Sequence, residues 1–402
     1  MKAHNFIRTI PMKLYLLLLG VILFAFFSND FGLVDIQKTA VILAAGIDKT
    51  EEGFSVTAQI AVPKGTDRTT GGTSSVQIEA EGKTVSDCIS LVFAKTGWVP
   101  KLVFCNLLLL GEEAVGEDII AHLNYFLRNE YMNDSCMLAV CEGKAHDFIS
   151  SKSAIDDTSS LAIEKLFSDA AERTGKVTSN TLKDFAIGYF GVSKSSYLPF
   201  VRSESQKSGG SGTPSAQQTA ASSGNSGSSG SSGGEEEKIY IADKTAIFSE
   251  GKMVAVLSPE ETLAFNLLHG KVVAGTFGAK DKDTPVTLTI VTNDGKITLD
   301  MKGAPTVKLD LQVMVRLCCR GTAAPIDDIS HDDVNPEILK SAKEVLTDYV
   351  SQLWNTAKES GCDLFQLKKD LFRSSAKKYR EWESFLLDSV KPEIKAEVTS
   401  MK

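Results

Sequence analysis

No C-x-x-C pair occurs anywhere in the 402 residues, and the seven cysteines (Cys88, Cys105, Cys136, Cys141, Cys318, Cys319 and Cys362) are an odd number that cannot all pair within one chain. This pattern indicates neither a disulfide framework nor a thiolate zinc site. Buried free thiols are the expected state. No G-x-S-x-G occurs either, and Gly82-Lys83-Thr84 lacks the upstream glycine that a phosphate-binding loop requires, so Thr84 reads as a helix cap. An excess of basic residues is also missing. The formal net charge is −8 at pH 7, which argues against binding nucleic acid or anionic lipid through bulk charge.

Histidine is scarce, with five residues in all. His122 and His269 have no histidine or cysteine at ligand spacing, His146 stands in "GKAHDF" with no visible partner, and His4 precedes the apolar segment. His331 belongs to the one dense polar cluster, "IDDISHDDVNPE", with Asp327, Asp328, Asp332 and Asp333. Carboxylates and an imidazole can hold a divalent cation. Acidic residues ahead of a helix N-terminus are favourable in their own right, however, and a solvated loop matched to the helix dipole is the expected state. No catalytic residue, cofactor site or metal site is assigned.

Charge is absent from Leu14 to Phe27, while Lys2, Arg8 and Lys13 precede this run and Asp30 and Asp35 follow it. The asymmetry places the N-terminus inside and the remainder outside the cytoplasm. As a helix the run spans roughly 21 Å, short of the roughly 30 Å hydrocarbon core, which favours a cleaved signal. A cleavage site wants small residues at alternating positions. Ending the signal at Ser28 puts Phe26 at the upstream one, and ending it at Ala25 puts Leu23 there, which argues against cleavage.

Residues 203–234 contain no apolar side chain larger than alanine. Such a stretch cannot offset its own ordering entropy and is expected to be a coil with a span of roughly 30 Å. The chain around it alternates strand and helix patterns. "AVILAAGID" and "FSVTAQIAV" form a hairpin, Val76, Ile78 and Ala80 a third strand, and Thr84 to Gly97 a capped helix. "KLVFCNLLLL" reads as one buried strand, "GEDIIAHLNYFLR" as a helix, and "SCMLAVC" as a strand. Past the coil, two strands around Gly251 lead to a helix entered through Ser258 and Pro259. Forty residues make a poor core alone, so these strands are expected to pair with "SSYLPFV" (195–201), which makes the coil an insertion within a domain. "VTLTIVTNDGKITLDM" reads as a hairpin turning at Asn293, Asp294 and Gly295. A strand with one wet face follows from Val307, then a long helix after Asn335 and Pro336, a second helix capped by Asp363, and a final strand around Ile394 to Val398.

The expected fold is α+β: three small mixed-sheet domains with packed helices, after an N-terminal hydrophobic membrane segment. The boundaries are 1–34 for the stub and segment, 35–150, 151–283 with a Gly/Ser insertion at 203–237, and 284–402 with the long helix at 336–360.

Five stretches, "AGIDKTEEGFSVTAQI", "EGKTVSDCISLVF", "LLLLGEEAVGEDIIAHLNYFLRN", "ADKTAIFSEGKMVAVLSPEETLAFNLLHG" and "CDLFQLKKDLF", resemble in that order the Ger(x)C family of spore germination proteins. The resemblance implies the C subunit of a nutrient germinant receptor, without catalytic residues. It also implies α+β domains at the outer face of the spore inner membrane, in a complex with membrane-embedded A and B subunits. Members of the family typically carry a lipid-modified cysteine directly after the hydrophobic segment, whereas the first cysteine here is Cys88. The segment with Leu14, Leu18, Val21, Phe24 and Phe27 is therefore expected to stay as the membrane anchor. The alternative class is an anchored extracytoplasmic hydrolase or solute-binding protein.

Overall fold

The computed structural model describes residues 14–24, 39–62, 74–156, 158–206, 237–321, 334–384 and 386–401. Residues 14–24 form an exposed helix, α1. The first strand of the body, β1 (Thr39–Lys49), is buried without interruption from Ala44 to Asp48, as a strand inside a sheet covered on both faces must be. A turn closed by Thr50 N–H on Gly53 O returns the chain as β2 (Phe54–Val62), antiparallel to β1, with β3 (Ser74–Gly82) on the outer side of β2. Helix α2 (Val85–Thr96) starts where Thr84 Oγ1 accepts from Asp87 N and stops at Gly97, whose φ of 69° needs no Cβ penalty.

The run expected as a single strand at 101–110 is two. β4 (Val99–Lys101) and β5 (Leu107–Gly111) each pair in parallel with β1 and are separated by a turn that Cys105 N–H closes on Leu102 O. Leu102 and Cys105 are buried and hold that turn, while Val103 and Phe104 stand exposed at its tip. Helix α3 (Ile119–Arg128), capped by Asp118, crosses back to β6 (Met137–Cys141), parallel to β5. Four short helices follow: α4 (Ala145–Ile149), α5 (Ser159–Lys165), α6 (Asp169–Glu172) and α7 (Leu182–Phe190).

β7 (Ser195–Gln206), β8 (Glu237–Ser249) and β9 (Lys252–Leu257) extend the same sheet, whose order is β3-β2-β1-β5-β6-β7-β8-β9 with β4 beside β1. Among the described residues two sheets are thus present where three small ones were expected. β7 joins β6 only at Val140↔Phe200 and Cys141↔Val201, so Pro199, which has no N–H to give, falls outside that ladder. The pairing expected between 195–201 and the strands past the coil is found. β7 and β8 run antiparallel out to Gln206↔Glu237, and residues 203–206, read as coil, belong to β7. The ends of the Gly/Ser stretch are therefore held side by side. Replacing 207–236 by a Gly/Ser loop of about eight residues should change stability by only about 1 kcal/mol, because closure entropy varies as the logarithm of length. A urea midpoint displaced by no more than that free-energy change would check this, and a cut inside the stretch should leave the two pieces co-eluting.

The second sheet, β10 (Thr276–Asp281), β11 (Thr284–Asp300), β12 (Thr306–Arg320) and β13 (Lys391–Ser400), is antiparallel except for β12 with β13. Here the sequence reading of Asn293-Asp294-Gly295 as a turn is overturned: β11 is one continuous strand through these residues, and the chain reverses between Asp300 and Thr306. Helix α9 (Pro336–Glu359), capped by Asn335, covers this sheet with Ile338, Ala342, Leu346, Val350, Leu353, Trp354 and Ala357. Helices α10 (Leu367–Ser374), α11 (Ala376–Trp382) and α12 (Leu386–Ser389) complete this half.

Between the sheets lies α8 (Pro259–Leu268), entered through a reciprocal Ser258–Glu261 capping box and buried at every position from Glu261 to Leu268. A helix with no wet face has to be enclosed. One apolar cluster contains Ile247 and Leu257 of the first sheet, Leu263, Phe265 and Leu267 of α8, Ile290, Leu309 and Leu311 of the second sheet, and Leu346 of α9. Of the cysteines, Cys88, Cys105, Cys136, Cys141 and Cys362 are buried and unbonded as expected. Cys318 and Cys319 depart from that expectation and lie exposed near the end of β12, where the strand leaves the core.

Candidate functional site

Of the residues expected to form the anchor, Leu14, Leu18, Val21 and Phe24 lie on α1 with exposed side chains, and Phe27 is outside the described residues. Among the described residues no helix is long and apolar enough to cross a membrane. The cluster Asp327, Asp328, His331, Asp332 and Asp333 is outside the described residues, as is His4. Among those described, no group of three or more His, Cys, Asp or Glu is placed to hold a metal.

The three other histidines do not converge. His122 on α3 is buried against the Phe54 ring at 4.4 Å; its Nε2 has no partner, and desolvation holds its pKa below the usual imidazole value. His146 Nδ1 on α4 lies 3.1 Å from Thr57 Oγ1 and 3.7 Å from Glu79. His269, just past α8, donates from Nδ1 to Phe265 O at 2.8 Å, and burial likewise lowers its pKa.

A cleft of about 530 Å³ opens where the halves meet, lined by Asn180, Ser195, Phe265, His269, Gln366 and Lys369 among others. Asn180, Ser195 and His269 in it are committed to holding the chain, whereas the buried Ser193 Oγ has no partner among the described residues. Ser195 Oγ donates to Ser193 O at 2.9 Å and accepts from Asp363 N–H at 3.0 Å, so its proton faces a carbonyl and no base. The Asp363 carboxylate accepts from Leu367 N–H and Lys368 N–H, both at 2.8 Å, and so caps α10. Burial raises its pKa, while the charge-assisted bonds oppose that rise. The neighbouring Cys362 thiol donates to Phe248 O and is pushed up to about 12 by burial, far from a reactive thiolate at neutral pH.

The same commitment runs along α8. Thr178, Thr245 and Thr262 form a buried hydroxyl chain with spacings of 3.0 and 3.1 Å that ties the segment before α7 to β8 and to α8. Asn266 donates to Gly175 O and Val177 O at 2.8 and 3.0 Å, and Glu261 accepts from Thr356 of α9. At the far end of the first sheet, Asp48 accepts from Ala145 N–H and His146 N–H at 2.7 and 2.8 Å and caps α4 from a distant strand. Gly111 is required beside it, since a Cβ there would sit 2.1 Å from Asp48 Oδ1.

Asp48 lies in "AGIDK" and Ser258, Glu261 and Thr262 lie in "LSPEET", so these two stretches among those carrying the resemblance are joints of the scaffold. Composition and spacing gave no sign of Thr178, Asn180, Thr245 or Asn266. Each is a single polar residue whose partner comes from a remote element, and such a pairing leaves no local pattern.

Residues 33–203 match the family model described as spore germination protein N-terminal domain, and residues 243–400 match the one described as spore germination B3/GerAC like, C-terminal. No curated protein matches the chain. Among solved structures it is similar to a crystal structure of the GerBC protein, at 15% identity over 89% of this chain and 97% of that one, with a TM-score of 0.49.

Proposed function

From the premise that this chain belongs to the Ger(x)C family of spore germination proteins, we propose that it is the non-enzymatic C subunit of a nutrient germinant receptor. On this reading it works at the outer face of the spore inner membrane with membrane-embedded A and B subunits, tethered by the apolar segment at 14–27. The observation that carries the proposal is the pair of family matches, in order, over 33–203 and 243–400, interrupted only around the Gly/Ser stretch. A role in assembly is supported by the cleft, where the Ser195 and His269 protons are both given to backbone carbonyls rather than poised for transfer.

Deleting the gene should abolish the spore response to a particular set of small nutrients and leave intact germination by agents that bypass nutrient receptors. Counting phase-dark spores after each treatment checks this. A purified chain that turns over a substrate, together with a nutrient response that survives deletion, would overturn the proposal in favour of the hydrolase class.

A further inference from the structure

We infer that the body lies on the phospholipid bilayer by the N-terminal ends of its parallel strands, with Val103 and Phe104 inserted among the acyl chains. This deepens the proposed function and rests on its tether.

β1, β4, β5 and β6 are mutually parallel, so Thr39, Val99 and the segments that lead into β5 and β6 all lie at one end of the sheet. The two segments touch there: Met137 N–H donates to Asn106 O at 2.8 Å, and the Lys101 ammonium stands 5.1 Å from the centre of the Tyr131 ring. This is also the end at which the chain arrives from the apolar segment. From Phe27 to Thr39 the chain spans at most roughly 40 Å when fully extended, so the tether keeps lipid within reach of this end. The Asp48 end of β1 lies about 30 Å further along the strand.

The surface presented here suits a bilayer. The turn at 102–105 is fixed by buried Leu102 and Cys105, and its two central residues, Val103 and Phe104, are 46% and 58% exposed. An adjacent apolar pair on a pinned turn is a wedge that needs no rearrangement to insert. Tyr131, 56% exposed beside Lys101, and the partly buried Trp98, which leads into β4, add amphipathic aromatic rings of the kind that sit where headgroups meet acyl chains. Lys101 adds a cation beside them, with Glu130 and Asp134 the acidic side chains of the same loops. Insertion is therefore driven by apolar contact rather than by charge, consistent with the acidic chain.

The test uses the full chain reconstituted in phosphatidylcholine and phosphatidylglycerol vesicles whose acyl chains carry bromine, which quenches tryptophan at contact. Phe104→Trp should lose at least half of its added emission. Ile155→Trp, exposed near Lys238 and the far end of β7, should lose none. A chain that floats with the vesicles but shows no quenching at position 104, or equal quenching at both positions, overturns the docking and leaves the tether standing. A chain that does not float with vesicles overturns the tether, and the docking with it. Val103→Asn with Phe104→Asn should keep the wild-type urea midpoint and flotation while abolishing bromolipid quenching of native Trp98. Undiminished quenching of Trp98 in that variant would also overturn the wedge.

Discussion

Gly295→Ala should destabilise the protein by about 3 kcal/mol, at the upper end of what overpacking a core ordinarily costs. A Cβ at this position of β11 would stand 2.4 Å from Leu268 O and 2.5 Å from Leu267 O, at the C-terminal end of α8. Both neighbours are backbone atoms, so no side chain can swing away to relieve the contact. Strand and helix end would have to part, and with them the bonds of Asn293, whose Nδ2 donates to Leu267 O at 2.6 Å and whose Oδ1 accepts from Val272 N–H at 3.0 Å. Gly278→Ala on β10 is the matching control. Nothing lies within 4 Å of its added Cβ, and it should be neutral or stabilising by up to about 1 kcal/mol. Urea midpoints of the two variants against the parent decide the matter, and equal values for both would refute the close-approach role of Gly295.

Phe265→Ala is expected to cost more, about 3 to 5 kcal/mol, as other large-to-small changes of a buried phenylalanine do. The ring is buried in α8, edge-on to Tyr197 at 4.8 Å and tilted against His269 at 4.3 Å, within the cluster that takes side chains from both sheets. The loss should appear in a single unfolding transition that moves both halves together, because their apolar contacts are shared. Phe190→Ala, at a position 73% exposed on α7, should stay within about 0.5 kcal/mol of the parent. Two well-separated transitions in the Phe265 variant, with one unshifted, would show that the halves do not share that core.

The contrast between these glycines and phenylalanines bears on how the protein can be read. Thr84, Ser258, Asn335 and Asp363 were visible as caps because a cap and the amides it serves lie within a few residues of each other. The strict alternation from Val307 to Leu317 and the helical stripe from Ile338 to Ala357 were equally legible, since one face of each is wet or dry along its whole length. The same holds for the hairpin of β1 and β2.

Sequence by itself therefore determined the α+β class, the starts of α2, α8, α9 and α10, the family and the position of the Gly/Ser stretch between recognisable blocks, while the short helices α4 to α7, α11 and α12 left no readable pattern. Tertiary structure alone decided three things. Asn293-Asp294-Gly295 has the composition of a hairpin turn, but it serves a strand that needs an amide and a missing Cβ where a helix end presses on it. The apolar run 101–110 satisfies a buried strand by composition, yet β1 offers its edge to two short strands, and the turn between them leaves Val103 and Phe104 in the open. The strands at 195–206 and 237–257 continue the first sheet rather than forming a third, because β6 presents a free edge that they complete. The reason is the same in each case: local composition fixes what a segment can do with its near neighbours. Whether a glycine turns or yields space, and whether an apolar residue is covered, depends on which remote backbone arrives beside it.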